Sequence, residues 1–380
     1  MKRKLGTALV AGMTVASLAI VSIPTTAGAS SVNWAKVTHL TKSGPTSMTA
    51  LIAAAKKEGH LNVIALPNNW ANYGTILKDF AKKYKIKINS ENPDGSSAQE
   101  VAALVADKGR PTAPDVIDVG TSYALTAQQQ GLLAPYKVQT WNAIPGALKD
   151  SGGHWYDDYG GFVAIGCNSA AVTCPTSFAQ MLSAKASSGY KIGLNNSPLQ
   201  SNSALAGVQA AALANGGSLD NTKPGVDYFA QLNKNGTFVP TIANATTVEN
   251  GTTNIVIWWD YLQATNFNNV LGSWKVVVPS DGVLGEFYSQ AISKTGPNPA
   301  AARLWEEYLY SVTGQNLWLQ GEARPVELAY MQAHGTANKA WVAKLPALPA
   351  GANPQYPTTT QIAAAATEVG TDWATELGAG

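Results

Sequence analysis

Apolar residues recur along the chain with two alternating periods. Met48, Leu51, Ile52 and Ala55 fall on one helical face, Lys56 and Lys57 follow, and Gly59 supplies a stop. Residues 61–66 read as a strand, and Tyr73, Ile76, Leu77, Phe80 and Tyr84 make the apolar stripe of the next helix. Residues 86–89 read as a second strand. Ser97 with Glu100 forms a capping-box pattern before Val101, Leu104 and Val105, and residues 116–119 read as a third strand ahead of a helix ending near Gln130. A second series starts near Gly161, with strands at 162–167 and 191–194 and helices at 178–182, 203–214 and 225–232. Residues 276–278 read as a strand returning toward the first half. Asn298 and Pro299 open a helix with Leu304, Trp305 and Tyr308 on one face, 345–360 is Pro-rich and extended, and 362–377 closes as a helix. Strands alternating with helices at this spacing predict βαβ units, an α/β fold with mostly parallel sheet.

Residues 255–262 (IVIWWDYL) break the pattern. A short β-branched run ends abruptly in Trp258, Trp259, Asp260 and Tyr261, where open α/β sheets present ligand groups at the carboxyl ends of strands. Either adjacent tryptophans on opposite faces of a strand simply pack, or Trp259 with Asp260 forms part of a site. A carboxylate among large aromatics needs a partner or solvent. Polar and aromatic groups recur after the other strands: Asn69, Trp70 and Tyr73; Asp94, Ser96 and Ser97; Thr121, Ser122 and Tyr123; Asn195, Asn196, Ser201, Asn202 and Ser203. Each cluster alone is ordinary cap and turn chemistry. Taken together they fit a cleft lined from two sides.

Composition narrows the classes. With 380 residues, 45% hydrophobic and 13% charged, the chain exceeds a single core and suits two lobes. Residues 1–29 open with Lys2, Arg3 and Lys4, continue through an apolar stretch and end on Ala27-Gly28-Ala29, the pattern of a cleaved secretory signal. Removing those three positive charges from a formal net of +2 leaves −1, which gives no reason to expect nucleic acid or an acidic membrane as partner. The residue directly after the expected cleavage site is Ser30 rather than cysteine, which argues against a lipid anchor. Cys167 and Cys174 are the two cysteines, and export makes a local disulfide between them the natural reading, ahead of buried thiols or a metal site. No nucleophile elbow, His-Glu-x-x-His helix or phosphate loop occurs, so no catalytic residue, metal or cofactor is assigned. Two carboxylates meeting in the fold keep a secreted hydrolase as an alternative.

The order of several phrases resembles the type 2 periplasmic solute-binding proteins of ABC importers, in the cluster of polyamine, iron(III), thiamine and aminoethylphosphonate binders. They are AKKEG at 55–59, APDVI at 113–117, QGLLAPY at 130–136, VPSDG at 278–282 leading to SQAI at 289–292, PNPAAA at 297–302 and ARPV at 323–326. The resemblance implies two α/β lobes, helices on both sheet faces and crossing hinge strands near 162–166 and 276–279. Lobe one would take 47–161 and 276–330, lobe two 162–275, and 331–380 would form a C-terminal extended and helical segment. It also implies a small-molecule solute, the membrane subunits of an importer as partner, a monomer, and no enzyme activity. Trp70 with Tyr73, and the step Thr121-Ser122-Tyr123, look similar to the aromatic positions of polyamine binders. Asp260 and Glu286 are the carboxylates available to hold an amine, and Tyr288 stands before SQAI. Adjacent tyrosines of the iron-binding kind are missing, so iron(III), thiamine or a phosphonate is the alternative solute. With only Arg110, Arg303 and Arg324 in the mature chain, an amine-bearing solute held by Asp260 is the expectation.

Overall fold

Ser47 accepts a hydrogen bond from the Ala50 amide to open α1 (Met48–Glu58), and Gly59, at φ 76°, closes it and turns the chain into β1 (His60–Ile64). The computed structural model describes Met1 and residues 32–378, so the expected signal sequence at 1–29 lies outside the described residues except for Met1. β1 pairs in parallel with β2 (Lys87–Glu91), connected through α2 (Tyr73–Tyr84), whose predicted stripe is buried. α3 (Ser97–Ala106) leads to β3 (Val116–Gly120), and α4 (Thr121–Gln129) follows directly. The capping box is made by Ser96 and Gln99 rather than Ser97 and Glu100. Because the helix begins one residue away from the expected place, Glu100 turns inward, is 2% exposed and accepts a hydrogen bond from the Asp118 amide.

After the short β4 (Leu133–Ala134) comes β5 (Tyr156–Asn168), 13 residues long, of which the sequence pattern reveals only the second half. Next come α5 (Phe178–Ser183), β6 (Ile192–Leu194), α6 (Asn202–Ala214), α7 (Lys223–Lys234), β7 (Ile255–Trp259) and β8 (Trp274–Val277). Then β9 (Gly285–Ser293), α8 (Pro299–Leu309), α9 (Val312–Gln320), β10 (Arg324–Pro325) and α10 (Thr359–Leu377) complete the elements used below. The main sheet runs β3-β9-β5-β7-β6, with β4 on β9 and with β8 and β10 on β5. It is mixed, but antiparallel pairing dominates within it, since β5 and β9 run against their neighbours and only β6 pairs in parallel with β7.

β5 belongs to both lobes. Tyr156 to Phe162 pair with β9, and Tyr159 and Gly160 with β10; from Val163 onward the partners become β7 and β8. Val276 and Val277 were expected on a strand returning to lobe one, yet β8 pairs with Ile165 to Asn168 and stays in lobe two. The second crossing is therefore the segment 278–284, tied to β5 where the Val163 amide donates to the Leu284 carbonyl. A Cβ at Gly161 would overlap the Asp260 carboxylate, so glycine is needed where the two half-sheets meet.

Two terminal segments are held more firmly than polarity alone predicts. Residues 30–44 read as loosely ordered, but the buried Arg303 guanidinium donates to the carbonyls of Ala35 and Val37, and Trp34 is buried. At the other end, α10 is anchored on lobe two: Trp373 packs on Phe229 and Phe238, and Glu368 accepts from the Thr222 amide at the start of α7. Its N-terminal half also lies against α4 of lobe one. No helix among the described residues is long and apolar enough to cross a membrane.

Cys167 and Cys174 are bonded, with Cα atoms 5.6 Å apart, and close a small loop at the end of β5. The exported, unfolded, non-reduced protein is expected to show no alkylatable thiol. Such a short loop constrains little chain entropy, so replacing both cysteines by serine should cost no more than about 3 kcal/mol in denaturant unfolding.

Candidate functional site

The lobes face each other across a cleft of about 250 Å³. Lobe one supplies the loop after β1, the start of α3, the end of β3 and Tyr123 of α4, while lobe two supplies residues 195–203 at the entry to α6. The loop after β1 is strained: Ala65, Ala71 and Asn72 have φ of 55°, 44° and 70°, in the left-handed region that side chains disfavour. A Cβ at Gly321 would press on Asn72, so the close approach of α9's end pins this loop, and Asn72 also donates to the Leu317 carbonyl. The conformation aims Trp70 into the cleft, where its indole Nε1 donates to Tyr159 Oη at 2.7 Å.

Behind Trp70 lies an aromatic stack. Tyr288 meets the Trp70 ring edge-on at 5.6 Å, Tyr159 stacks on Tyr288 at 5.6 Å, and Trp318 stacks on Tyr159 at 4.3 Å. This stack is the wall on which Asp118 rests. Its Oδ2 accepts from Tyr73 Oη at 2.6 Å and from Tyr159 Oη at 2.9 Å, while Oδ1 is buried, without a protein partner, on the cleft lining. From the opposite lobe, Asn195 Oδ1 is likewise buried without a partner on the same lining, while its Nδ2 donates to Ser203 Oγ at 2.8 Å. Each lobe thus contributes to the lining one residue with a buried, unpartnered acceptor oxygen. Among the described residues no lysine, arginine or histidine lines it.

Burial governs the acids around this wall. It holds Asp118 and Asp158 above the ordinary carboxylate range, where each discourages the other's ionisation, and it raises Glu100 well above its usual value with the Asp118 charge adding to the effect. Asp157, bonded to Ser289 and Thr121, is pushed by burial up to about 7. Glu286, on β9, is pushed by burial up to about 8 and accepts from Asn202 Nδ2 of α6 at 2.5 Å, a direct contact between the lobes.

The sequence-predicted site residues divide between this cleft and its surroundings. Trp70, Ser96, Ser97, Tyr123, Asn196, Ser203 and Tyr288 line the cleft, and Glu286 reaches across its edge. Asn69 is exposed away from it, Ser122 lines a neighbouring hollow, and Trp258 sits half-buried between Trp70 and Phe267. Tyr73 is fully buried and acts on Asp118 rather than on a solute. Trp259 is 1% exposed and packs in the sheet opposite Val163. Asp260, the expected amine partner, is fully buried and already satisfied: it pairs with Arg324 and accepts from the Phe162 and Tyr261 amides. Asp118, Glu100 and Gln200 escaped sequence reasoning. An aspartate between β-branched neighbours in VIDVG was the available signal, because a carboxylate inside a buried strand needs a reason.

Two α/β lobes joined by a shared strand, with a polar and aromatic cleft between them, define a binding protein of the periplasmic type. The profile of one family, bacterial extracellular solute-binding protein, matches residues 112–350, and the chain belongs to that family. Among solved structures it is similar to the ferric binding protein from Campylobacter jejuni, at 19% identity and TM-score 0.61, covering 83% of this chain and 99% of that one. It is also similar to the periplasmic binding protein AfuA from Actinobacillus pleuropneumoniae with exogenous fructose-6-phosphate bound, at 20% identity and TM-score 0.63, covering 84% and 98%. Iron-bound HitA from Pseudomonas aeruginosa is a third, at 18% identity and TM-score 0.57, covering 82% and 99%. At these identities the likeness establishes the shared fold. No curated protein sequence matches the chain.

Asp260→Ala should lower stability in denaturant unfolding, since it leaves the half-buried Arg324 guanidinium without its carboxylate and the Phe162 amide without an acceptor, yet leave solute affinity of the folded fraction within about twofold. A large loss of affinity at unchanged stability would return Asp260 to the site. The acids give a second expectation. Glu286 rises from 4.5 to about 8 on folding, so its contribution to stability is complete below about pH 4.5 and is lost as pH rises through about 8. Asp157 behaves likewise up to about 7. The solute-free protein should therefore melt at higher temperature at pH 5 than at pH 8. Glu286→Gln should flatten that slope by up to roughly 1.4 kcal/mol per pH unit, the value for one proton.

Proposed function

We propose that this extracytoplasmic protein captures a small amine-bearing solute between its lobes and delivers it to the membrane subunits of an ABC importer. The observation that carries this reading is Asp118 Oδ1, a buried carboxylate oxygen on the cleft lining with no protein donor. A buried acceptor without a donor is costly, and an ammonium satisfies it with a charge-assisted bond. Asn195 Oδ1 adds a second acceptor from the other lobe, and the Trp70, Tyr123 and Tyr288 rings offer faces or edges for the carbon skeleton. Asp118 thus takes the role expected of Asp260. Bridging acceptors from both lobes also gives the solute a preference for the closed arrangement, which is what shifts a lobe equilibrium.

One observation favours a zwitterion over a simple amine. α6 begins at the cleft, and no side chain caps its start. Its N-terminal dipole suits an acid group at the far end of the same solute. Neither reading calls for turnover, and a hydrolase would release product where a binding protein shows only ligand-dependent melting.

Calorimetric titration with putrescine, spermidine, choline and aminoethylphosphonate tests the proposal. Asp118→Asn should weaken an amine at least tenfold, the loss of a charge-assisted bond of about 1.5–3 kcal/mol. Wild-type affinity should fall as pH drops below the raised Asp118 value, because a protonated carboxyl no longer attracts an ammonium. Heat from neutral or phosphate-bearing ligands alone, or an undiminished amine affinity in Asp118→Asn, would overturn it.

A further inference from the structure

The cleft does not end at Tyr123. A second hollow of about 450 Å³ opens beside it, between α4 of lobe one and the entry to α6 of lobe two, and the two spaces share Tyr123, Gln200, Ser201 and Asn202. The first is walled mainly by amides, hydroxyls and acids. The second combines Leu125, Leu199, Leu205, Ile362 and the alanines 363 and 366 with polar groups, among them Ser122, Thr126, Gln129, Thr359 and Thr360. Its far wall is the N-terminal half of α10, a helix beyond the matched family region and fastened to lobe two by Trp373 and Glu368. That half carries small side chains on the facing side, with Ala363 and Ala366 exposed, so a gap stays open where larger residues would fill it.

We infer that this hollow is an apolar annex of the solute site, formed by the C-terminal helix, and that it holds the hydrocarbon tail of an amine solute whose head lies at Asp118. The inference rests on the amine reading for the head, but the annex has its own observable. The two spaces adjoin along four shared residues, and this adjacency points to the occupant: one molecule, polar at one end and apolar at the other, reaching across both. Together the two spaces fall in the range of about 300–1,000 Å³ common for small-molecule sites. Because α10 belongs to lobe two while α4 belongs to lobe one, a tail in the annex touches both lobes and reinforces closure on longer solutes.

The test is calorimetric titration of the full chain with linear alkylamines from methylamine to octylamine, in parallel with linear alkyl phosphates of the same lengths. Once the tail reaches the annex, affinity for the amines should rise up to about fourfold per methylene, the equivalent of roughly 0.8 kcal/mol for each buried CH₂. Ala366→Trp should fill the annex and abolish that rise, with methylamine, too short to reach it, as the internal control. Leu199→Ser, at an exposed position where misfolding is not a concern, should reduce the rise. If short amines bind and affinity does not grow with length, the annex is overturned while the amine head stands. Growth with length among phosphates but not amines would keep the annex and overturn the amine head. Flat series of both kinds, or a rise that persists in Ala366→Trp, would overturn the annex.

Discussion

The structure depends on how one strand changes partners. At Phe162 and Val163, β5 leaves β9 and β10 and joins β7 and β8, so along one edge there is a gap between the start of β10 and the end of β7. The Phe162 amide would be stranded there. Asp260, at the end of β7, accepts it, and Arg324, from β10, neutralises the carboxylate while lying 4.7 Å from the Phe162 ring. A buried ion pair contributes little net stability against apolar replacements, but it fixes geometry, since either partner alone would be a buried charge. Here it joins the half-sheets of the two lobes at the point where they meet. Through them it sets the distance between Asp118 on β3 and the amides at the entry to α6.

The cleft is built on the same logic of buried polar groups satisfied one by one. Tyr73 and Tyr159 hold one oxygen of Asp118 and leave the other without a protein partner; Gln290 joins Tyr73 to Asp158; Ser289 and Thr121 hold Asp157. Burial raises these acids, with neighbouring carboxylates adding to the effect, and this makes the solute-free protein prefer acid conditions. The bond from Asn202 to Glu286 connects this group of acids to lobe two.

The sequence by itself determined the element order, because each amphipathic stripe and each β-branched run carries its own period, and local periodicity needs no distant partner. The helical stripe from Tyr73 to Tyr84, the Pro299 helix start and the short disulfide were legible for that reason. Strand ends rich in Ser, Asn and aromatics also marked much of the cleft rim, since those ends converge in any two-lobed α/β fold. Only the tertiary structure decided which carboxylate is free. Asp260 looks available in IVIWWDYL, and nothing local reveals that Arg324, 64 residues later, has claimed it; Asp118 looks like core, and nothing local reveals that it borders the cleft with one oxygen left unpartnered. β9 stayed hidden because Glu286, Ser289 and Gln290 interrupt its apolar period, their polarity being matched by partners distant in sequence. Pairing between residues far apart in the chain is a property of the closed fold, and no local pattern encodes it.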